Sequence, residues 1–174
     1  MMATKKAAPK APAAPKCPMP YTGNSDANPK GKATEQALKF VQIMGDRWGF
    51  TNLGIYSYRP MRGSQNLSVH ATGRAVDLGY KTSFQPRVSE ICDWLADNYL
   101  TLGIEEIHQY SWEGSEWGRG FRCCRDGKPG WKTWTADANG GTPGGKWIHV
   151  ELAPTQTATG LVRAWKAIEP KPAK

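Results

Sequence analysis

The sequence predicts an α+β domain, a small, mainly antiparallel sheet with flanking helices, on three observations. Three segments carry apolar residues at helical spacing behind start signals, and four shorter runs read as strands. The two kinds alternate irregularly across short connections, which disfavours a doubly wound parallel sheet. No internal repeat is visible, and 174 residues suit one domain with a proper core.

In chain order, Met1 to Lys32 is Ala, Pro, Lys and Gly with almost nothing to bury, and reads as a flexible basic tail. Ala37, Leu38, Val41, Met44, Gly45 and Trp48 then recur at helical spacing behind Thr34 as N-cap, with Gly49 as the stop. TNLGIYSYRP reads as a strand ending at Pro60, RGSQN as a turn, and Arg74 to Tyr80 as the next strand. Pro86 opens a second helix with Val88, Ile91, Cys92, Leu95 and Tyr99 on one face, and the strand IEEIHQY follows Gly103. From Ser111 to Gly145 the mixture of Gly, Trp and charge shows little period, which predicts long functional loops. KWIHVEL is a strand with Ile148, Val150 and Leu152 toward the core and Trp147, His149 and Glu151 on the opposite face. Thr157 caps a last helix with Leu161, Val162, Trp165 and Ile168 inward. Residues 33–168 are thus the domain, and Glu169 to Lys174 a second short tail.

The formal net charge of +8 points to acidic partners, such as nucleic acid, anionic lipid or an anionic cell wall. No apolar run approaches the roughly 18 residues that would span a bilayer, and no apolar stretch follows the N-terminal lysines, so no membrane span and no standard signal peptide are expected. Cys17, Cys92, Cys123 and Cys124 have neither zinc-finger nor C-x-x-C spacing. They predict a buried thiol at Cys92 and no disulfide framework, with a bond from one of Cys123 and Cys124 to another cysteine as the lesser alternative.

The chemistry concentrates in SVHATGRAVDLGY, Ser68 to Tyr80. A hydrolytic zinc ion takes three N or O ligands and leaves a position for water. Gly73 lets the chain turn between His70 and Asp77, so that both can converge on one ion, and Ala75 and Gly79 leave room on the Asp77 face. His149, on another strand with Glu151 beside it, is the third ligand. His108 lacks ligand spacing and reads as a surface or sheet residue, with a place in the lining of the cleft as the alternative. Trp112, Trp117, Trp131 and Trp134 serve equally as groove walls or as a small core under loops.

S-x-H-x-x-G-R-A-x-D at Ser68 to Asp77, with I-H-V-E at Ile148 to Glu151, resembles the M15 zinc peptidases. These include D-alanyl-D-alanine carboxypeptidases and the L-alanyl-D-glutamate endopeptidases of phage lysins. The resemblance spans roughly Tyr56 to Leu152 and implies a Hedgehog/DD-peptidase-like fold, with zinc held by His70, Asp77 and His149. It also implies that Ser68 orients a ligand, and that Arg59 steadies a substrate carboxylate or oxyanion, with Arg62 or Arg74 as alternatives. One departure stands out: Lys146 occupies the position where the family carries its acidic general base. Glu151 is expected to replace that base, with Glu105, Glu106, Glu113, Glu116 and Asp137 also eligible.

The implied function is a zinc-dependent peptidase cutting stem or cross-bridge peptides of bacterial peptidoglycan. A monomer is expected, phage-encoded and made in the host cytoplasm, reaching the wall by release at lysis or as a virion component beside other virion proteins. The rival reading is a non-catalytic wall-binding or phage tail module that keeps the zinc fold. A nucleic-acid binder rests on charge alone, and none is expected.

Overall fold

The computed structural model describes residues 17–137 and 143–169 of the chain. Six strands form one fully antiparallel sheet. In chain order these are β1 (Thr51–Gly54), β2 (Ala75–Gly79), β3 (Ile104–Gln109), β4 (Arg119–Arg125), β5 (Lys128–Thr133) and β6 (Trp147–Leu152), arranged β1-β2-β6-β3-β4-β5. The helices are α1 (Glu35–Trp48), α2 (Gln85–Asp97), the single turn α3 (Tyr99–Leu102) and α4 (Ala158–Ile168). No helix among the described residues is long and apolar enough to cross a membrane.

Helix boundaries follow the expected signals. The Thr34 side chain accepts from the Ala37 amide, Gly49 ends α1 in the left-handed conformation, Pro occupies the first turn of α2, and the Thr157 side chain accepts from the Gly160 amide. Phe40 and Met44 of α1, Val88 and Leu95 of α2 and Leu161 of α4 bury one face of the sheet through Val76, Leu78, Ile107, Ile148, Val150 and Leu152. Trp48, Trp94 and Trp165 meet edge to face and knit α1, α2 and α4 together. Leu38, expected on the buried face of α1, is exposed.

Four expectations are corrected. The stretch from Ser111 to Gly145 is not all loop, because it contains the β4–β5 hairpin. Asp126 and Gly127, both at positive φ (52° and 85°) between paired Arg125 and Lys128, form its two-residue turn, and an Asp-Gly dipeptide is a hairpin signal that the lack of apolar period masked. The strand expected to reach Pro60 ends at Gly54, since beyond it the backbone serves the His70 loop: the Ile55 carbonyl bonds the His70 ring and the Ser57 amide donates to the His70 carbonyl. The tail expected through Lys32 is seated from residue 17 onward, where Thr22 donates to Glu105, Asp26 pairs with Arg74, and the Asn28 amide donates to the Ala71 carbonyl. Residues 1–16 and 170–174 of the two tails lie outside the described residues. Finally, Cys17 and Cys124 form a disulfide across 107 residues of chain. Strand alternation explains how adjacent cysteines differ, since Cys123 turns into the interior while Cys124 faces the opposite side.

Candidate metal centre

The sheet face away from the helices carries polar rows set by register. Asp77 pairs with His149, His149 with His108 and His108 with Gly120; in the next row Ala75 pairs with Glu151, Glu151 with Glu106 and Glu106 with Arg122. Successive antiparallel strands thus deliver two histidines, three carboxylates and a guanidinium to one surface. A cleft of about 310 Å³ opens over it, and Arg59, Arg62, Tyr110, Trp134, Asp137 and Trp147 contribute to its walls.

His70 enters from outside the sheet on a 3-10 turn, Val69–Thr72, whose first amide bonds are organised by Ser68: its hydroxyl accepts from the His70 amide at 3.3 Å. Gly73 closes that turn at φ +76°, and a Cβ there would lie 2.2 Å from the Lys32 carbonyl oxygen, so only glycine fits. The result brings His70 Nε2 to 3.2 Å from Asp77 Oδ2, and His149 Nδ1 to 2.8 Å from Asp77 Oδ1. One ligand atom from each of these three residues lies within 4.8 Å of the others, a grouping that can hold a metal ion.

The outer nitrogens of both rings are fixed. His70 Nδ1 lies 2.6 Å from the Ile55 carbonyl, to which it donates, leaving Nε2 to face Asp77. His149 Nε2 lies 3.1 Å from Glu151 Oε1, leaving Nδ1 toward Asp77. Backbone carbonyl and carboxylate partners of this kind set tautomer and ring orientation at metal sites.

Without an ion, these groups pair with one another. Hydrogen bonds from His149 and His70 hold the Asp77 carboxyl well below the usual carboxylate range although burial opposes it. His149, despite burial, is pushed up to about 10 by hydrogen bonds to Asp77 and Glu151. The protonated ring therefore sits where a cation is electrostatically favoured. His108 goes the other way: burial, then His149, lowers it to about 3, so it is neutral near pH 7. Its Nε2 is buried without a hydrogen-bond partner. Glu106 is raised by burial and by Glu151, although Arg122 holds it at 2.6 Å.

Of the residues singled out by sequence, His70, Asp77, His149, Glu151, Ser68 and Arg59 all line this cleft, as does Arg62. Arg74 does not. It is fully buried, bonded to both oxygens of Asp26, to Thr22, and to the carbonyls of Gly23 and Leu152, which removes it as a substrate-binding alternative. Among the other eligible acids, Glu106 and Asp137 line the cleft, whereas Glu105 is buried against Thr22 and Arg74. Lys146 Nζ turns to Gln85 Oε1 and Ser111 Oγ, at 3.2 and 3.4 Å.

Sequence reading missed Tyr110 and Tyr21 and offered the cleft only as the alternative place for His108, and all three line it. His108 and Tyr110 stack at 4.1 Å, Trp147 stacks on Tyr110 at 3.7 Å, and Trp134 leans on His108 at 4.8 Å, forming an aromatic wall. Alternation along IEEIHQY was the available signal, since it puts His108 two residues from Glu106 on the face opposite Ile107. Of the four loop tryptophans, Trp134 joins this wall, while Trp131 packs against Phe121 and the Arg119 guanidinium. No family model matches the chain, and neither a curated protein nor a solved structure matches it.

Proposed function

We propose that this chain is a zinc-dependent peptidase of M15, DD-peptidase-like type, acting on the peptides of bacterial peptidoglycan at the cell wall. The observation that carries the reading is the His70, Asp77 and His149 convergence, with each imidazole's outer nitrogen tied to an acceptor. Two imidazoles and one carboxylate are a donor set that zinc takes in hydrolytic sites. When bound, zinc supplies a Lewis acid that polarises a carbonyl and acidifies water.

The chain's own groups do the rest. Glu151 Oε1 is engaged by His149 Nε2, so we assign Glu151 to holding that ring. The proton-carrying role expected of it passes to Glu106, which lines the cleft, pairs with Glu151 across the strands, and is raised by burial and then by Glu151 to about 7, where a carboxyl can take up and return a proton near neutral pH. Arg59 and Arg62 offer their charge to a substrate carboxylate, and the Tyr110–Trp147 stack gives an apolar wall for a peptide plane. The net charge of +8 suits a wall rich in carboxylates and phosphates, and a phage-borne lysin or virion component fits these parts.

The test is digestion of purified peptidoglycan by zinc-loaded Glu106→Gln and Glu151→Gln. Glu106→Gln is expected to keep zinc and lose turnover by about 10²–10⁴-fold, the usual worth of a positioned proton carrier. Glu151→Gln is expected to weaken zinc about 10-fold or more while retaining most turnover at saturating zinc. Loss of turnover at saturating zinc in Glu151→Gln alone would return the base to Glu151.

A further inference from the structure

We propose that Arg125, Lys132 and Trp134 form an anion subsite at the hairpin end of the cleft, which takes a second carboxylate of the peptide substrate, about three or four residues from the bond cut. The inference deepens the peptidase reading above and rests on it. Strand register builds the subsite. The row that carries Asp77, His149 and His108 continues through Gly120 on β4 to Lys132 on β5. Gly120 has no side chain, and the Trp134 ring takes its place: a Cβ there would lie 2.2 Å from that ring. β4 carries one extra residue between Arg122, which pairs with Gly130, and Arg125, which pairs with Lys128. This bulge turns Arg125 onto the face that Arg122 and Lys132 share. Arg125 and Lys132 then converge on the Trp134 ring, at 5.3 and 5.5 Å from its centre.

No acid balances this group. Among the described residues neither Arg125 nor Lys132 has a carboxylate partner, Asp126 on the adjoining turn included, whereas Arg74, Arg119 and Arg122 are each paired. Nε and Nη2 of Arg125 and Nε1 of Trp134 are buried without a hydrogen-bond partner. Trp134 is only 8 % exposed, so its N–H has given up water and gained nothing in return. Burial, then Arg122, hold the Arg125 guanidinium below its ordinary range, as befits a cation without a counter-charge. An anion supplies what all three side chains lack, and a carboxylate accepts charge-assisted bonds from guanidinium and ammonium together. Trp134 lines the cleft and Lys132 is exposed, so the subsite joins the cleft and opens to solvent. Neighbouring strands lie about 4.8 Å apart, which puts Gly120 about 10 Å and Lys132 about 14 Å from His149. An extended peptide covers that in about three or four residues. The carboxylate held there is therefore a different one from that offered to Arg59 and Arg62.

The experiment is calorimetric titration of the full chain, without zinc so that peptides are bound and not cut. The probes are stem peptides prepared from purified peptidoglycan, either native or with their carboxyl groups converted to carboxamides. Proteins are the wild type, Arg125→Gln and, as an exposed position that leaves the interior untouched, Lys132→Gln. Arg125→Gln is expected to weaken the native peptides about 10-fold and the amidated ones less than about 2-fold, and Lys132→Gln to weaken the native ones about 3-fold. Amidation acts at every carboxylate, so the difference between the two losses, and not either loss alone, reports the contact with Arg125. Equal losses for native and amidated peptides would overturn the proposal, as would native peptides that bind both variants as tightly as the wild type. Glycerol phosphate polymer from the wall that loses affinity in Arg125→Gln, while the peptides do not, would also overturn it and assign the subsite to phosphate. The expected pattern in a protein that, loaded with zinc, cuts no peptidoglycan would overturn the peptidase reading alone. Turnover by the zinc-loaded protein that Arg125→Gln and Lys132→Gln leave unchanged, in KM as in kcat, would overturn the subsite and keep the peptidase.

Discussion

Replacing Gly73 by alanine tests the turn that makes the metal centre. At φ +76° a residue with a Cβ costs about 1–2 kcal/mol relative to glycine. The new Cβ would also lie 2.2 Å from the Lys32 carbonyl oxygen and 3.3 Å from the Thr34 nitrogen. That neighbour cannot withdraw freely, because the Thr34 amide and hydroxyl both donate to the Gly73 carbonyl at 3.0 Å and Thr34 caps α1. Overpacking against fixed backbone adds about 1–3 kcal/mol, so Gly73→Ala is expected to lose about 2–5 kcal/mol. Gly49→Ala is the control, with a similar φ of +72° and nothing within 4 Å of the added atom, and should lose only the backbone cost of about 1–2 kcal/mol. Urea unfolding of the two variants without zinc isolates the clash, the slope of about 1–3 kcal/mol per molar converting each loss into a midpoint shift. Equal losses in the two variants would refute the claim that the Lys32–Gly73 approach is what requires glycine.

Three further outcomes are expected. Because His149 is held up at about 10 without metal, zinc must displace a proton; at pH 7.5 calorimetry in buffers of different ionisation heat should show about one proton released per zinc, with affinity rising about tenfold per pH unit, and no release would contradict the His149 pairing. In the metal-free protein the same raised value stabilises the fold fully below pH 6.5, and this stabilisation is lost as pH rises through about 10; His108, lowered to about 3, works oppositely, its contribution being lost as pH falls below 6.5. Arg74→Met should cost about 3–5 kcal/mol by stranding buried Glu105 and the Gly23 and Leu152 carbonyls, and a loss under about 1 kcal/mol by denaturant titration would show that these groups find other partners.

Helices were legible because their signals are local: Thr34 and Gly49 bracket α1, Pro86 opens α2, and Thr157 caps α4. The three grouped metal-site residues were legible because Gly73 implies a turn between His70 and Asp77, and because alternation in KWIHVEL separates His149 from the apolar face. The rest depended on pairings that no local pattern carries. Register alone sets His108 beside His149, and the long closure between Cys17 and Cys124 turns an apparent tail into a wall of the cleft. Arg74 looked available because burial of an arginine depends on partners, Asp26 and Glu105, that are distant in sequence.

The most direct test of the central claim is zinc per chain by elemental analysis, on the wild type and His149→Ala in parallel, with peptidoglycan digestion followed in the same samples with and without chelator. The account predicts about one zinc in the wild type, lost in the variant, and digestion lost with it. A wild type that holds no zinc, or one that holds zinc and leaves peptidoglycan intact, would contradict it.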